Sequence, residues 1–397
     1  MPTIEPAFRT PYILLENPSG DPDGFPPLLF HSPVRTIQAY RRCDVVPALR
    51  ALDQAVGEGY CAAGYLAYEA GYALDERLHH LPEHRDVDAP LLWFGVFERA
   101  VPANECIVPG RLHHRKQQCR LSPEPTPAYR RYAADVRTIR RYIAEGDVYQ
   151  INHTFRIRIP LHDDAMLCYY RLKRLQPTGF TALVFDGRYT ICSLSPELFF
   201  RRVGSHIVVR PMKGTAPRGA SERADRLLRE RLAADPKNRA ENLMIVDLLR
   251  NDLGRVCVLG SVHTTTLFTV ETYPTLHQMT STVEGRLRAG TTYTDIFTAL
   301  FPSGSVTGAP KLRAMEIIHE VERTPRGVYT GAIGCILPER TAVFSVAIRT
   351  LAIRGATARL GTGGGIVWDS RARSEYRECL LKTAFVKHIQ EPLRLIE

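Results

Sequence analysis

FPSGSVTGAPKLRAMEIIHEVE, residues 301–322, reads as a Gly-rich loop that ends by starting a helix. Pro310 stands where a first-turn proline belongs, because the N–H it lacks would be an orphan there anyway. Leu312, Met315, Ile318 and Val321 recur at helical spacing and give residues 310–322 one buried face. Upstream, Gly304, Thr307 and Gly308 bring free backbone N–H groups and one hydroxyl. Small residues opening into a helix N-terminus can receive an anionic oxygen. The phosphate-loop pattern G-x4-G-K-[ST] is not met, so a carboxylate or another small anion suits the loop better, unless it is a plain turn.

Working outward, residues 328–337, 342–353 and 358–361 read as strands, and 374–389 as a helix. Toward the N-terminus come a helix at 293–300, strands at 281–287 and 256–262, and a helix pair at 221–234 and 238–249, split at Asp235-Pro236. Further strands fall at 207–210, 189–193, 180–185 and 148–159. A helix starts with Thr126 as N-cap and Pro127 at its first position; Tyr129, Tyr132, Val136, Ile139 and Ile143 make its apolar stripe, and Gly146 ends it. Residues 101–127 are polar and irregular, which divides the chain into an N-terminal region contributing strands at 1–123 and a larger region at 124–397. His113 and His114 in that stretch read as solvated surface. Many strands with inserted amphipathic helices predict a layered fold, α+β or α/β.

A chain of 397 residues with 44% hydrophobic and 24% charged residues has the composition of a globular protein. No apolar run reaches the ~18 residues of a membrane span. MPTIEPAFRT has no basic and apolar export signal, and the nine cysteines are scattered without a C-x-x-C pair, so free thiols in a cytoplasmic protein are expected. The formal charge of +10 asks for an anionic partner. No nucleic-acid-binding motif accompanies the arginines, so a small anionic substrate is expected in place of nucleic acid or membrane.

On the helix at 374–389, Glu375, Glu378 and Lys382 share one face, with Tyr376, Cys379, Leu380 and Thr383 on the buried side. A surface ion pair would account for Glu378 and Lys382. The preceding GTGGG (361–365) lets the main chain approach a ligand closely, and two carboxylates behind it suit magnesium, which binds one or two carboxylates plus substrate oxygens. Lys213, between a proline and a Gly-Thr turn, is a nucleophile if its pKa is lowered; Glu197, after Pro196, is a general acid or base if burial raises its pKa. Both could instead be surface charges at strand ends.

GDVYQIN, SPELFF, PMKGT, ENLMIVDLLRND, YPTLHQM, FPSGSVTGAPK, GVYTGAIG, AIRTL and GTGGGIVWDS…EYRE follow one another from residue 146 onward. In that order they resemble the chorismate-utilising enzymes, closely over 124–397 and loosely through LLEN (14–17) and GYLAYEAGYALDE (64–76). The resemblance implies large β-sheets packed together with helices outside. It implies Mg2+ held by Glu241 and Glu378, with Glu375 beside them, and the substrate's ring carboxylate on the metal. Tyr329, Arg349 and the backbone around Gly361, Thr362 and Gly363 would hold the enolpyruvyl carboxylate. Thr307, Lys382 and Gln150 would make other substrate contacts, His277 would lie close to the reacting ring, and Glu197 would assist loss of the C4 hydroxyl.

Two positions separate the family's branches. Isochorismate and salicylate synthases resemble this chain but carry a water-activating lysine where it has Gln150. Lys213 matches the branch that aminates C4 to 4-amino-4-deoxychorismate on the way to para-aminobenzoate and folate, where the lysine is thought to add at C2. Anthranilate synthases, the alternative, typically carry alanine there. A non-catalytic chorismate binder would need neither Glu197 nor Lys213. Nothing resembles a glutamine amidotransferase or a pyruvate-removing lyase, so a separate glutaminase subunit and a downstream aminodeoxychorismate lyase are the implied partners. Asn17 departs from the tryptophan-binding LLES, which argues against tryptophan there.

Overall fold

The computed structural model describes residues 10–83, 89–103, 129–161, 164–273 and 276–387. Among these, antiparallel pairing builds two large sheets. The first runs, in spatial order, β15 (Gly308–Ala309), β7 (Gln150–Pro160), β19 (Thr357–Ile366), β18 (Thr350–Arg354), β9 (Thr190–Ser195), β8 (Phe180–Phe185), β1 (Tyr12–Glu16), β2 (Leu28–His31) and β6 (Val101–Pro102). The second runs β12 (Met212–Pro217), β14 (Leu276–Arg286), β11 (His206–Arg210), β10 (Leu198–Val203), β17 (Thr341–Val346), β16 (Ala332–Leu337), β4 (Cys61–Leu66), β5 (Leu92–Phe97) and β3 (Arg35–Ala39); β13 (His263–Thr272) also pairs with β14.

Three apolar clusters define the layers. Ile13, Leu15, Phe30, Phe180 and Val184 of the first sheet meet Tyr65, Trp93, Phe97, Ile333 and Cys335 of the second, so the sheets pack face to face. Outside the second sheet lie α1 (Arg42–Gly57), α5 (Pro236–Gly254) and α6 (Tyr293–Leu300). Outside the first lie α2 (Tyr129–Ala144), α3 (Ala165–Leu175), α7 (Lys311–Val321) and α8 (Ala372–Leu381), followed by the short α9 (Ala384–Lys387). Strands covered on both faces read as continuous apolar runs such as LWFGVF of β5, buried at every position. Local chemistry sets the helix starts. Thr292 and Asp295 form a capping box on α6. Ser221 accepts from the Ala224 N–H to start α4 (Glu222–Ala234), and Asp235 from the Asn238 N–H before α5.

The layered α+β expectation holds, while several local expectations change. Pro310 precedes α7 in an extended conformation and does not occupy its first turn. Residues 256–262 form turns and one isolated bridge, and the strand starts at His263. The run 342–353 is two strands in different sheets, because Arg349 takes φ +50° and turns the chain between β17 and β18. The GTGGG segment is the middle of β19, paired with β7 through Gly361↔Arg156 and Gly365↔Asn152, and not a loop. Glycine is required there for close approach. A Cβ on Gly361 would stand 2.1 Å from the Tyr329 ring, and one on Gly363 2.4 Å from the His153 carbonyl. The helix at 374–389 is divided between α8 and α9. His113, His114, Thr126 and Pro127 lie outside the described residues.

Candidate active site

Chain passage between the sheets creates the site. Ser195 ends β9 in the first sheet and Leu198 begins β10 in the second, leaving Glu197 at the crossing. Beside it the chain crosses back, from Val346 of β17 to Thr350 of β18, with Arg349 at the turn. The crossings are stitched together: the Val346 N–H donates to the Glu197 carbonyl at 3.0 Å, the Ser195 hydroxyl to the Val346 carbonyl at 2.6 Å, and the Leu194 N–H to the Arg349 carbonyl at 3.2 Å.

Glu197 is buried, and one carboxyl oxygen, Oε1, has no hydrogen-bond partner among the described residues. Burial pushes its pKa up to about 7, although Ser305, Lys213 and the Met212 N–H all favour the charged form. Lys213, on β12, donates from Nζ to the Ser305 carbonyl at 3.1 Å. Burial lowers its pKa, against the opposing pull of Glu241 and Glu197. The pair therefore combines an acid that keeps its proton near neutrality with an amine that gives one up more readily than usual.

Glu241 on α5 and Glu375 and Glu378 on α8 face the same region. Burial raises the pKa of Glu241 and of Glu375, and each is raised further by the charge of Glu378. Burial also opposes the Glu378 carboxylate, but Lys382, 2.8 Å away, overrides it and holds the group below its ordinary value. Among the described residues no group of three His, Cys, Asp or Glu side chains is arranged to hold a metal ion as it stands. The donor chemistry nevertheless fits a divalent cation such as Mg2+, since the Glu378 charge works against ionisation of both Glu241 and Glu375 and a cation would relieve that.

The remaining candidates divide. Gln150 is fully buried beside Gly365, and neither amide atom has a partner among the described residues. Tyr329 stands over Gly361, and burial raises its pKa. Arg349 donates to the Gln176 side chain at 3.2 Å. The Gly363 carbonyl accepts from Lys382 Nζ at 3.1 Å. Thr362 turns its hydroxyl to the Cys379 carbonyl of α8 at 2.8 Å, and Thr307 turns its own back onto the Ser303 and Gly304 carbonyls. The loop's backbone is similarly committed, since the Val306 and Thr307 N–H groups bond Ser303 and Gly304. His277 is tied to neighbouring side chains, with Nδ1 3.0 Å from the Thr272 hydroxyl and Nε2 3.0 Å from Asp225, which a bidentate Arg218 also grips. Asn17 closes its own turn by bonding Asp21 through both ends of its amide.

Two contributors were not legible as such. Ser305 supplies the Lys213 acceptor through a carbonyl, which no side-chain pattern reveals. Asp225 lies in the first turn of a basic amphipathic helix and reads as surface, although it anchors a buried histidine.

A model of chorismate binding enzymes matches residues 11–388. Aminodeoxychorismate synthase of Streptomyces pristinaespiralis is 45% identical over 255 residues, covering 64% of this chain but 35% of that longer protein. Aminodeoxychorismate synthase component 1 of Klebsiella aerogenes is 37% identical over 347 residues, covering 80% of this chain and 75% of the relative. The crystal structure of anthranilate synthase component I from Streptococcus pneumoniae TIGR4 superposes with a TM-score of 0.75 at 26% identity, over 96% of this chain and 92% of that one. With the match spanning nearly its whole length, the chain belongs to the chorismate-binding enzyme family.

Proposed function

We propose that this chain aminates chorismate at C4 with ammonia, releasing 4-amino-4-deoxychorismate in the cytoplasm. The observation that carries the reading is the pairing of buried Glu197 with half-buried Lys213, whose pKa values are drawn toward neutrality. The neutral Lys213 amine forms a bond to C2 as both ring double bonds shift, C1=C2 to C1=C6 and C5=C6 to C4=C5, and the C4–O bond breaks. The departing hydroxyl takes the Glu197 proton and leaves as water. Ammonia then bonds to C4, both double bonds shift back, and the C2–N bond to Lys213 breaks. The proton lost by ammonia restores the starting charges.

Tyr329 and Arg349 would hold the enolpyruvyl carboxylate, while Lys382 and the amide of Gln150 line the remaining substrate surface. Gln150 cannot act as a base toward water, which favours ammonia as the nucleophile. Mg2+ on Glu241, Glu375 and Glu378 would neutralise the ring carboxylate and draw charge from the ring. His277 enters this reading only as a residue near the ring, held by Asp225. The anthranilate reading keeps support of both kinds, from anthranilate synthase component 1 relatives of Haloarcula marismortui at 40% and 41% identity and from the structural likeness to an anthranilate synthase component. A separate amidotransferase would supply ammonia from glutamine, and a separate lyase would remove pyruvate afterwards.

Product analysis tests the proposal. With chorismate, Mg2+ and an ammonium salt, the chain is expected to yield aminodeoxychorismate, and Lys213→Ala to lower that yield at least ~1,000-fold. Glutamine should replace ammonium only when the amidotransferase is added. Anthranilate as the main product, or an unimpaired Lys213→Ala variant, would overturn the C4 assignment.

A further inference from the structure

Arg156 has no task in the reading above. It lies on β7 directly opposite Gly361 of β19, and side chains of such a pair leave the sheet on the same face. That face is where the Tyr329 ring covers Gly361, and the Arg156 guanidinium carbon lies 5.1 Å from the ring centroid. Nη1 donates to the Thr154 hydroxyl at 3.0 Å. Nε and Nη2 are closed off from solvent and have no acceptor among the described residues.

Those two nitrogens form a single edge of the guanidinium. Their N–H bonds run parallel, the fork that takes both oxygens of one carboxylate. The nearby carboxylates are already engaged. Glu322 accepts from Thr154 and from Arg326, and Glu69 accepts from the Arg326 and Gly327 N–H groups. A buried guanidinium edge without an acceptor among the described residues is unfavourable, and a bound carboxylate would supply one.

We propose that Arg156 is a second guanidinium of the substrate site, donating Nε–H and Nη2–H to the enolpyruvyl carboxylate alongside Tyr329 and Arg349. The proposal rests on the chorismate reading. It places a cation over the Tyr329 ring, which suits a dianion and disfavours ring substrates that lack the second carboxylate. Burial disfavours the Arg156 cation in the free protein, and an arriving carboxylate relieves that penalty.

The test separates binding from folding. The chorismate Kd is measured by calorimetry with Mg2+ and without ammonia, for the wild-type chain, Arg156→Lys and Arg156→Gln, together with the Tm of each chain free of ligand. Arg156→Gln should weaken chorismate binding about 10- to 100-fold, with Arg156→Lys intermediate because it keeps charge but not the fork. The ligand-free Tm should hold or rise, because an uncompensated buried charge has been removed. A Kd within about twofold of wild type in either folded variant overturns the proposal. So does a loss of Tm in Arg156→Lys that accompanies its loss of affinity, since that marks a structural role. A wild-type chain that does not bind chorismate overturns the chorismate reading itself and this proposal with it.

Discussion

At Glu197 burial outweighs three favourable contacts, and the direction of the shift has a measurable consequence. The folded chain keeps, up to about pH 7, a proton that an ordinary carboxyl of pKa 4.5 would release. The native state therefore binds more protons than the unfolded state between those values, and stability falls as pH rises through that window. Glu197→Gln removes the slope. It should be more stable than wild type at pH 8 by on the order of 1–3 kcal/mol and nearly equal to it at pH 4, by denaturant unfolding at each pH. The same variant should lose about 100- to 10,000-fold in rate, together with the decline expected of wild-type activity above pH 7. Equal stability differences at the two pH values would show that the carboxyl is not held protonated. The sequence made Glu197 and Lys213 visible because each stands out chemically against small neighbours. Arg156 stayed hidden because alternation along β7 shows that a residue faces inward, not that its donors lack acceptors there.

Among the elements, β19 shows how a local reading can be right about residue type and wrong about structure. Four glycines in five residues look like a flexible loop, yet they occupy a paired strand because neighbouring groups leave no room for Cβ atoms. The requirement differs from one position to the next. Gly363→Ala would push a methyl group to 2.4 Å from the His153 carbonyl and should cost about 1–3 kcal/mol with a loss of chorismate affinity. Gly364→Ala meets nothing nearer than Lys382 Nζ at 3.6 Å and should stay within ~0.5 kcal/mol of wild type. Thermal unfolding of the two variants side by side checks this, and comparable losses would mean the strand cannot accept any side chain. The crossing at Arg349 was unreadable for a related reason, since a positive φ at an arginine leaves no mark in the pattern of apolar residues.

On the scale of the whole molecule, periodicity identified a layered mixed fold but not which strands are neighbours. Pairings such as β1 with β8 and β4 with β16 join segments far apart in sequence, and only tertiary packing chooses between them. The N-terminal strands β1, β2 and β6 complete the first sheet, and β3, β4 and β5 complete the second. A chain trimmed to residues 129–397 would expose the β8 and β16 edges and half of the intersheet core. It should be insoluble or bind hydrophobic dye strongly, whereas cooperative unfolding of that fragment would refute the dependence. The crossings that carry Glu197 and Arg349 also lie at one end of their strands. The tight turns at Gly187, Gly204, Glu339–Arg340 and Gly355 close those same four strands at the opposite end. Evolution and engineering thus have a permissive pole, where peptide can be grafted into the turns while the reacting groups stay in register.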